Sequence, residues 1–291
     1  MKNSTLMLKI VVTLLACRAV QAIEISGVIT STLNVAEDSW LTGDVACRVQ
    51  GGPCLRVTAS NITLWLNGFT MTGLADPPAG CLPKIGNIID HGISITGQRR
   101  VEVFGPGLIQ KFPGWGIELR GTTRSTVRDV TVSGCCASGI QLIAAANDNV
   151  VEGVVSERNG STEFPCGGIC LSNANGNRLR RNIVSGNGYA VMDVVNFGIA
   201  LLGTSRGNTI IDNTGVGNVN GIFLQPNTLE NLIHRNIFSG NAPIQIPVSL
   251  PEFQGFDIRN QAPEGANNIL DNVCLSYSGA GRSPCPSVIR P

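Results

Sequence analysis

The stretch GNTIIDNTGVGN, residues 207–218, has an asparagine at every fifth position, namely Asn208, Asn213 and Asn218. Asparagine is unfavourable in the interior of helices and strands, so this even spacing needs a structural or chemical reason. The same spacing occurs on both sides of the stretch, at Asn177, Asn182 and Asn187 and at Asn231, Asn236 and Asn241. The recurrence indicates a repeating structural unit.

A second motif repeats with a similar period. It consists of Gly-Ile, a variable residue and an apolar residue, and it occurs as GISI at 92, GIEL at 116, GIQL at 139, GICL at 168, GIAL at 198 and GIFL at 221. The steps are 24, 23, 29, 30 and 23 residues, and a degenerate copy, PIQI, begins at 243. Short alternating segments between glycines and asparagines predict strands and corners.

Several solenoid folds share this period. Leucine-rich repeats need a leucine density that this chain lacks, and calcium-binding nonapeptide repeats need a G-G-x-G-x-D motif that is absent. A parallel β-helix remains, in which each turn contributes two or three short strands that pair with the turns above and below. The sequence therefore predicts an all-β solenoid with one stacked core.

The segment SNITLWLNGFTMTG at 60–73, followed by the Gly-Ile turns and the asparagine corners, carries a family resemblance. It resembles the exported right-handed parallel β-helix repeat proteins of bacteria, in the pectate-lyase-like superfamily, over about residues 27 to 275. The chain departs from that family at Trp65 and Phe69, where an aspartate and a histidine are usual. The resemblance implies a single-stranded right-handed parallel β-helix of about eight to ten turns.

The amino terminus predicts export. Lys2 and Lys9, an apolar run and a small-residue site ending at Ala22 indicate a signal peptide over residues 1–22. A lipoprotein anchored at Cys17 is the alternative. The mature β-helix domain then spans 23–291, with core repeats at about 88–246 and a C-terminal cap at about 247–291.

The charge of the mature chain excludes some partners. Cleavage removes three basic residues from 21 and no acidic residue from 20, which leaves 18 against 20 and a net charge of −2. This balance offers no electrostatic reason to bind nucleic acid. No segment after the signal peptide is long enough and apolar enough to span a membrane. We expect a monomer.

Nine cysteines remain after cleavage, and export favours disulfides. We expect Cys274 to pair with Cys285 and two of Cys47, Cys54 and Cys81 to pair with each other. The positions of Cys135 or Cys136 and of Cys166 before successive Gly-Ile pairs permit a bridge between turns. An odd number leaves at least one thiol unpaired within the chain.

The asparagines are predicted to form ladders at the corners. Asparagine tolerates a left-handed backbone, and its amide can bond to the same residue one turn away. The corners lack the converging carboxylates that a metal site needs. The predicted ladder residues are Asn177, Asn182, Asn208, Asn213, Asn231 and Asn236.

Candidate catalytic residues lie near the variable residue of the Gly-Ile motif. Aligning the turns gives the outer column Ser94, Glu118, Gln141, Cys170, Ala200, Phe223 and Gln245. The resemblance implies a substrate cleft along such a face, with a base to remove a proton and acidic groups that often bind calcium. The candidates are Asp90, His91, Glu118 and Arg120, with Lys111 within reach; the alternative is ordinary polarity at a surface turn.

Candidate binding residues lie next to the central asparagine of each turn. One column contains Glu152, Arg180, Ile211 and His234, and the adjacent one contains Arg181, Asp212 and Arg235. An arginine-rich groove of this kind suits an anionic sugar. The alternative is a solvated strip of salt bridges along the axis, with little energy per pair.

Two functions follow from these patterns. One is an exported protein that interacts with polysaccharide, as a lyase, hydrolase or epimerase or as an inactive relative. The other is a non-catalytic surface or binding scaffold. The motifs Gly-Asp-Asp and Gly-His-Gly of galacturonan hydrolases and the Asp-Pro-His-Asp motif of alginate epimerases are absent. No cofactor or resident metal is identified, and calcium is the one ion that the resemblance suggests.

Overall fold

The structure of the chain is a computed structural model that describes residues 22–75, 89–161, 166–188, 197–241 and 255–285. The predicted signal peptide and Cys17 lie outside these residues, apart from Ala22. Within the described ranges, no helix has the length and apolarity needed to cross a membrane. The part of the chain that the structure describes contains 28 short strands, β1 to β28, joined by corners and loops.

One sheet of ten parallel strands contains the Gly-Ile motifs. Its strands are β2 (Leu33–Val35), β4 (Leu55–Val57), β7 (Ile93–Thr96), β10 (Ile117–Arg120), β13 (Ile140–Ile143), β16 (Ile169–Ser172), β19 (Phe197–Leu202), β22 (Asn220–Leu224), β25 (Ile258–Asn260) and β28 (Tyr277–Ser278). Ten strands correspond to ten coils of the solenoid in the described part of the chain.

A second sheet of 18 strands covers the rest of each coil in two rows. Two long strands, β1 (Ile23–Ile29) and β3 (Ser39–Cys47), span both rows. The first row continues with β5 (Thr63–Trp65), β8 (Glu102–Phe104), β11 (Thr126–Arg128), β14 (Val150–Glu152), β17 (Arg178–Arg180), β20 (Thr209–Ile211), β23 (Leu232–His234) and β26 (Asn268–Leu270). The second row continues with β6 (Thr70–Thr72), β9 (Leu108–Gln110), β12 (Thr131–Ser133), β15 (Val155–Glu157), β18 (Ile183–Ser185), β21 (Thr214–Val216), β24 (Ile237–Ser239) and β27 (Val273–Cys274).

The core is a set of aliphatic columns along the solenoid axis. In the ten-stranded sheet the last apolar residue of each motif pairs with its counterpart one coil on, as Leu119 does with Leu142 and Leu142 with Leu171. All three side chains are fully buried. Because successive side chains of a strand point to opposite faces, the residue between two core positions points outward. The sheet register therefore decides which outer residues become neighbours.

Asparagine ladders connect the coils at three corners. Asn182 donates its backbone N–H and its Nδ2 group to Oδ1 of Asn213, at 3.0 and 2.9 Å. Asn213 makes the same two bonds to Asn236, at 2.9 Å each, and also donates to the carbonyl of Leu179 in the preceding coil. The three ladders are Asn149, Asn177, Asn208, Asn231 and Asn267; Asn182, Asn213, Asn236 and Asn272; and Asn159, Asn187, Asn218 and Asn241.

Other residues end these ladders. Cys135 occupies the position before Asn159 and donates its backbone N–H to the Oδ1 of that asparagine. At the other end, Asp257 accepts two bonds from Asn241 on Oδ1 and two backbone N–H bonds, from Leu275 and Ser276, on Oδ2. Asp257 is buried, and these donors satisfy a carboxylate that would otherwise be costly to bury.

The left-handed corner residues differ from the prediction. The ladder asparagines themselves do not have a positive φ; the residue before each one does, as at Arg181 (54°), Asp212 (56°) and Arg235 (52°), except before Asn267 at the end of the first ladder. The left-handed residue turns the chain so that the following asparagine points into the solenoid, where it meets its ladder partners. The expectation that asparagine supplies the left-handed backbone is therefore wrong, and arginine and aspartate supply it on the outside.

The glycine of the Gly-Ile motif lies against the third ladder. A Cβ atom at Gly139 would overlap the side chains of Ser156 and Asn159, and one at Gly168 would overlap the carbonyl of Gly198 and lie tightly against Asn187. Glycine is thus needed where the strand begins, because the ladder asparagine and the next coil approach too closely for any side chain. The Gly-Ile motif and the asparagine spacing therefore recur together because the glycine and the ladder asparagine contact each other.

Three disulfides join cysteines that are close in the chain. Cys47 pairs with Cys54 and Cys274 with Cys285. Cys166 pairs with Cys170, so the expected bridge between turns from Cys166 to Cys135 or Cys136 is wrong. Cys136 is disulfide-bonded as well, and Cys135 is a free, buried thiol. Burial raises the pKa of the Cys135 thiol to about 12, so it stays protonated.

The register after residue 224 also differs from the prediction. Phe223 pairs with Arg259 of β25, so Arg259 follows Phe223 in the outer column, where Gln245 was expected. Gln245 and the PIQI segment lie outside the described residues. An insertion between β24 and β25 displaces the repeat, and the spacing of the motif alone cannot reveal its length.

Replacement of Asn213 by alanine tests the ladder. The change removes hydrogen bonds to the coils on both sides and leaves buried donors and acceptors unsatisfied, so we expect a loss of about 2 kcal/mol or more in the free energy of unfolding. Denaturant titration measures it. Asn268→Ala is the matched control, because Asn268 is exposed on β26. Equal stability of the two variants would contradict the ladder.

Candidate functional site

The outer column of the ten-stranded sheet brings the predicted catalytic residues together. Ser94, Glu118 and Gln141 are in register on β7, β10 and β13. All three are buried, as are Asp90 and His91. The alternative of ordinary surface polarity is therefore wrong for these residues. Polar side chains on an outer face at this depth need internal partners, and the structure supplies them.

Glu118 is the centre of the cluster. Its Oε2 accepts a hydrogen bond from Ser94 Oγ at 2.8 Å, and its Oε1 accepts one from Arg120 Nε at 2.7 Å. His91 Nε2 lies 3.6 Å from the same Oε2. Glu118 is thus a buried carboxylate held by one guanidinium and two neutral groups, which is the arrangement that compensates burial of a charge.

His91 is neutral and oriented. Its Nδ1 accepts the backbone N–H of Trp115 at 3.2 Å, and its ring stacks on the Trp115 ring with centroids 4.5 Å apart. Since Nδ1 is an acceptor, the single proton of the neutral ring is on Nε2 and points toward Glu118. Burial, reinforced by the charge of Arg120, lowers the pKa of His91 from 6.5 to about 3.

Asp90 has a structural role in the cluster. Its Oδ1 accepts the backbone N–H groups of Gly51 and Gly52, at 2.6 and 2.9 Å. These glycines belong to the loop that the Cys47–Cys54 disulfide closes. Asp90 therefore fastens this loop to the coil that carries His91, and its carboxylate faces the protein.

Arg120 is the member of the cluster that reaches solvent. Its side chain is 42% exposed, against 4% for Glu118. Glu118 accepts the hydrogen bond from Nε, and within the described residues neither terminal nitrogen of the guanidinium has a hydrogen-bond partner. Trp115 is half-buried beside His91, whereas Lys111 is exposed at a corner and forms no ion pair with the cluster in the described part of the chain. The arrangement presents a fixed cation and an aromatic ring.

Calcium does not fit this cluster. Calcium takes six to eight oxygen ligands, most of them from carboxylates and carbonyls. Each oxygen of Glu118 accepts a hydrogen bond, and Oδ1 of Asp90 accepts two. No group of three or more histidine, cysteine or acidic side chains with metal-binding geometry occurs among the described residues.

Further along, the outer column becomes apolar. Cys170, Ala200 and Phe223 follow Gln141 in register and form a second buried cluster with Cys166 and Phe197. The Phe197 and Phe223 rings stack with centroids 4.4 Å apart. The sequence analysis missed this cluster, although its variable positions turn from polar to apolar between Gln141 and Ala200.

The predicted binding columns form ion pairs. Glu152 accepts from Arg180 Nη2 at 2.6 Å and also pairs with Arg181. Asp212 and Arg235 form a two-pronged pair, at 2.8 Å for both contacts. Arg235 lowers the pKa of Asp212, chiefly through these hydrogen bonds. In the predicted column of Arg181, Asp212 and Arg235, only Asp212 and Arg235 form an ion pair with each other. Arg181 pairs instead with Glu152 in the coil before it.

His234 lies at the end of the same column, on β23. Its Nδ1 is 3.4 Å from Asp271 Oδ2, without hydrogen-bond geometry. Its column neighbour Ile211 separates it from the Glu152 pairs. Five of the six predicted binding residues therefore form two separate ion-paired groups, in which Glu152 pairs with two arginines and Asp212 with one, and His234 lies near Asp271 instead.

Comparison with known proteins identifies the family. The family described as the right handed beta helix region matches residues 84–215 and, in a second overlapping match, 115–282. These matches cover more than half of the 291 residues, so the chain belongs to this family. The prediction of a right-handed parallel β-helix is confirmed. No curated protein matches the sequence.

Solved structures share the fold at low identity. The Dettilon tailspike protein is 18% identical, with a TM-score of 0.56 over 84% of this chain and 46% of its own. A double mutant of the periplasmic alginate epimerase AlgG is 13% identical, with a TM-score of 0.50 over 85% and 69%. Pectate lyase Pel9A is 12% identical, with a TM-score of 0.44 over 87% and 74%. This chain spans less than half of the tailspike, and these similarities concern the fold.

The buried His91 makes stability depend on pH. Its pKa is about 3 in the folded protein and 6.5 in the unfolded chain, so below pH 6.5 the unfolded chain binds a proton that the folded protein does not. The folded state is therefore destabilised by this group as the pH falls from 6.5 toward 3, and not above pH 6.5. We expect the free energy of unfolding to drop by about 2 kcal/mol from neutral pH to pH 5 through this group.

Denaturant titration at pH 7.5 and pH 5 measures that drop. In His91→Gln the decrease in the free energy of unfolding that is due to His91 should disappear. The control variant His234→Gln should show the same decrease as the unmodified protein. An unchanged drop in His91→Gln would show that the ring is protonated in the folded state.

Proposed function

We propose that this protein is an exported β-helix protein that binds an acidic polysaccharide at the outer face of its ten-stranded sheet, without catalysis by the His91 cluster. The observation that carries the proposal is the half-exposed guanidinium of Arg120, fixed by the buried carboxylate of Glu118. A guanidinium held at Nε keeps two N–H groups for a planar carboxylate, which is the geometry of bidentate recognition.

The rest of the cluster supports a rigid binding site. Glu118 is held in place by Ser94 and Arg120, and His91 is held between Glu118 and Trp115. A side chain that is already fixed loses little conformational entropy on binding. The half-buried Trp115 ring adds an apolar surface for a sugar ring.

The same contacts argue against bond cleavage at this cluster. A lyase or epimerase removes a proton with a base, and a useful base has a pKa near the working pH. His91 has a pKa of about 3, and its lone pair accepts a backbone N–H. Both oxygens of Glu118 accept hydrogen bonds inside the protein. Neither group is available to a substrate, so their role is to hold Arg120.

Export and ligand class rest on separate arguments. Local disulfides at Cys47–Cys54, Cys166–Cys170 and Cys274–Cys285 favour an oxidising compartment, in line with the predicted signal peptide. The alginate epimerase that shares the fold is named for an acidic polysaccharide, and an exposed arginine suits the carboxylates of such a polymer. We assign the paired charges from Glu152 to Arg235 to stabilisation of the coils, with no ligand.

Arg120→Ala tests the proposal. The purified protein should be retarded in affinity gels that contain alginate or polygalacturonate, with or without calcium, and Arg120→Ala should weaken this binding about tenfold. Arg99→Ala is the matched control, because Arg99 is exposed outside the ten-stranded sheet and its substitution removes the same charge. It should bind like the unmodified protein.

Two results would overturn the proposal. The first is binding to no acidic polymer in the panel. The second is release of unsaturated or reducing ends that disappears in His91→Gln, since this would make the cluster catalytic. Retention of the melting temperature in Arg120→Ala shows that weaker binding is not caused by unfolding.

A further inference from the structure

A column of aromatic residues runs along the first row of the 18-stranded sheet, away from the Arg120 site. Trp40, Trp65 and Phe104 are paired in register on the successive strands β3, β5 and β8. We call these three residues the aromatic column. Glu24 precedes it on β1, and Arg128 follows it on β11. The sequence analysis noted Trp65 as a departure from the family without giving it a role.

The three rings are on the outer face of the solenoid. Each is half-buried, whereas the strand neighbours Leu41, Leu64 and Val103 are fully buried in the core. Adjacent parallel strands are about 4.8 Å apart, so the rings form one apolar strip parallel to the axis. Arg128 extends the strip, because its guanidinium lies 4.5 Å from the centre of the Phe104 ring.

Such a strip suits a linear ligand with a flat apolar repeat. Single exposed aromatic residues are ordinary, but a contiguous outward column on neighbouring coils is a recognised mark of an interaction surface. Large rings on a rigid sheet lose little entropy on binding, and the C–H face of a pyranose ring packs well on them.

The charges around the strip select among ligands. Glu24 stands at one end, and Glu102 lies two residues from Phe104 on the same strand. The Nε of Arg128 is 3.3 Å from Asp129, which neutralises it. The immediate surroundings therefore carry an excess of negative charge, which repels uronic acids and phosphates. Thr63, Glu102 and Thr126 form the adjacent outer column and offer hydrogen-bonding groups to sugar hydroxyls.

We propose that the aromatic column is a binding site for a neutral polysaccharide, such as a β-glucan, whose sugar rings stack on Trp40 and Trp65, next to the Phe104 ring that the Arg128 guanidinium covers. This site goes beyond the proposed function, because it lies on the other sheet and takes another class of ligand. A merely structural role, in which the rings stabilise strand pairing, would affect melting but not binding.

The test uses paired substitutions at Trp65. Trp65→Leu keeps an apolar side chain without an aromatic face, and Trp65→Phe keeps the face. In affinity gels with hydroxyethyl cellulose or laminarin, the unmodified protein and Trp65→Phe should be retarded. Trp65→Leu should bind about tenfold more weakly. Melting temperatures of both variants show whether they fold, and Trp40→Leu repeats the test one coil away.

Controls separate this site from the Arg120 site. Tyr277→Ala removes a half-buried aromatic ring at the opposite end of the solenoid and should not affect binding to the neutral polymers. Arg120→Ala should also bind them normally, whereas its binding to alginate is weakened. Equal binding of Trp65→Leu and the unmodified protein to the neutral polymers would overturn the proposal. So would retardation only by polygalacturonate or by an oligothymidine.

Discussion

The rest of the structure depends on the hydrogen bonding of the buried asparagine amides. Each amide is removed from water, and its donors and acceptor are satisfied only by the coils directly before and after it, as in the bonds from Asn182 to Asn213 to Asn236. An unmatched amide would cost about 1–3 kcal/mol, so a coil out of register is penalised at each corner. The ladders therefore enforce one stacking register along three lines.

That register has a direct effect on the outer surface. Residues one coil apart in the chain become neighbours, as Ser94 and Glu118 do on one sheet and Glu152 and Arg180 on the other. The outward residue of a strand is free of core packing, so its identity can vary from coil to coil. Sites on this protein are therefore columns parallel to the axis, and insertions between strands change their composition without disturbing the ladders.

The fold could be predicted from the sequence because its signals are periodic. The five-residue asparagine spacing and the Gly-Ile motif both report the coil, and Gly139 shows why they occur together, since it lies against Asn159. The left-handed residues were harder to assign, because a corner distributes turning and bonding over two adjacent residues, such as Asp212 and Asn213. The position of Arg259 opposite Phe223 depends on an insertion whose length no motif records.

The site was only partly predictable, for a different reason. Chain spacing places Asp90, His91, Glu118 and Arg120 on two adjoining coils, and the structure shows His91 and Arg120 beside Glu118. The spacing carried no information about how deeply these side chains are buried, and their burial decides their chemistry. Burial keeps His91 neutral, and its Nε2 proton points to Glu118. A residue type that often transfers protons therefore has a structural role here. The exposed end of the same network is Arg120, whose Nε donates to Glu118.

The two outer faces consequently differ in the ligands they favour. On the ten-stranded sheet, a buried carboxylate balances one exposed guanidinium and holds it rigid, so an incoming anion meets a fixed donor fork. On the 18-stranded sheet, Arg128 forms an ion pair with Asp129, and Glu24 and Glu102 lie beside the aromatic column. The aromatic rings are therefore the main feature of this surface that attracts a ligand. Because both faces belong to one rigid stack, each can recognise its ligand without a change in the other. Selectivity then follows from which outer residues the ladders bring into register.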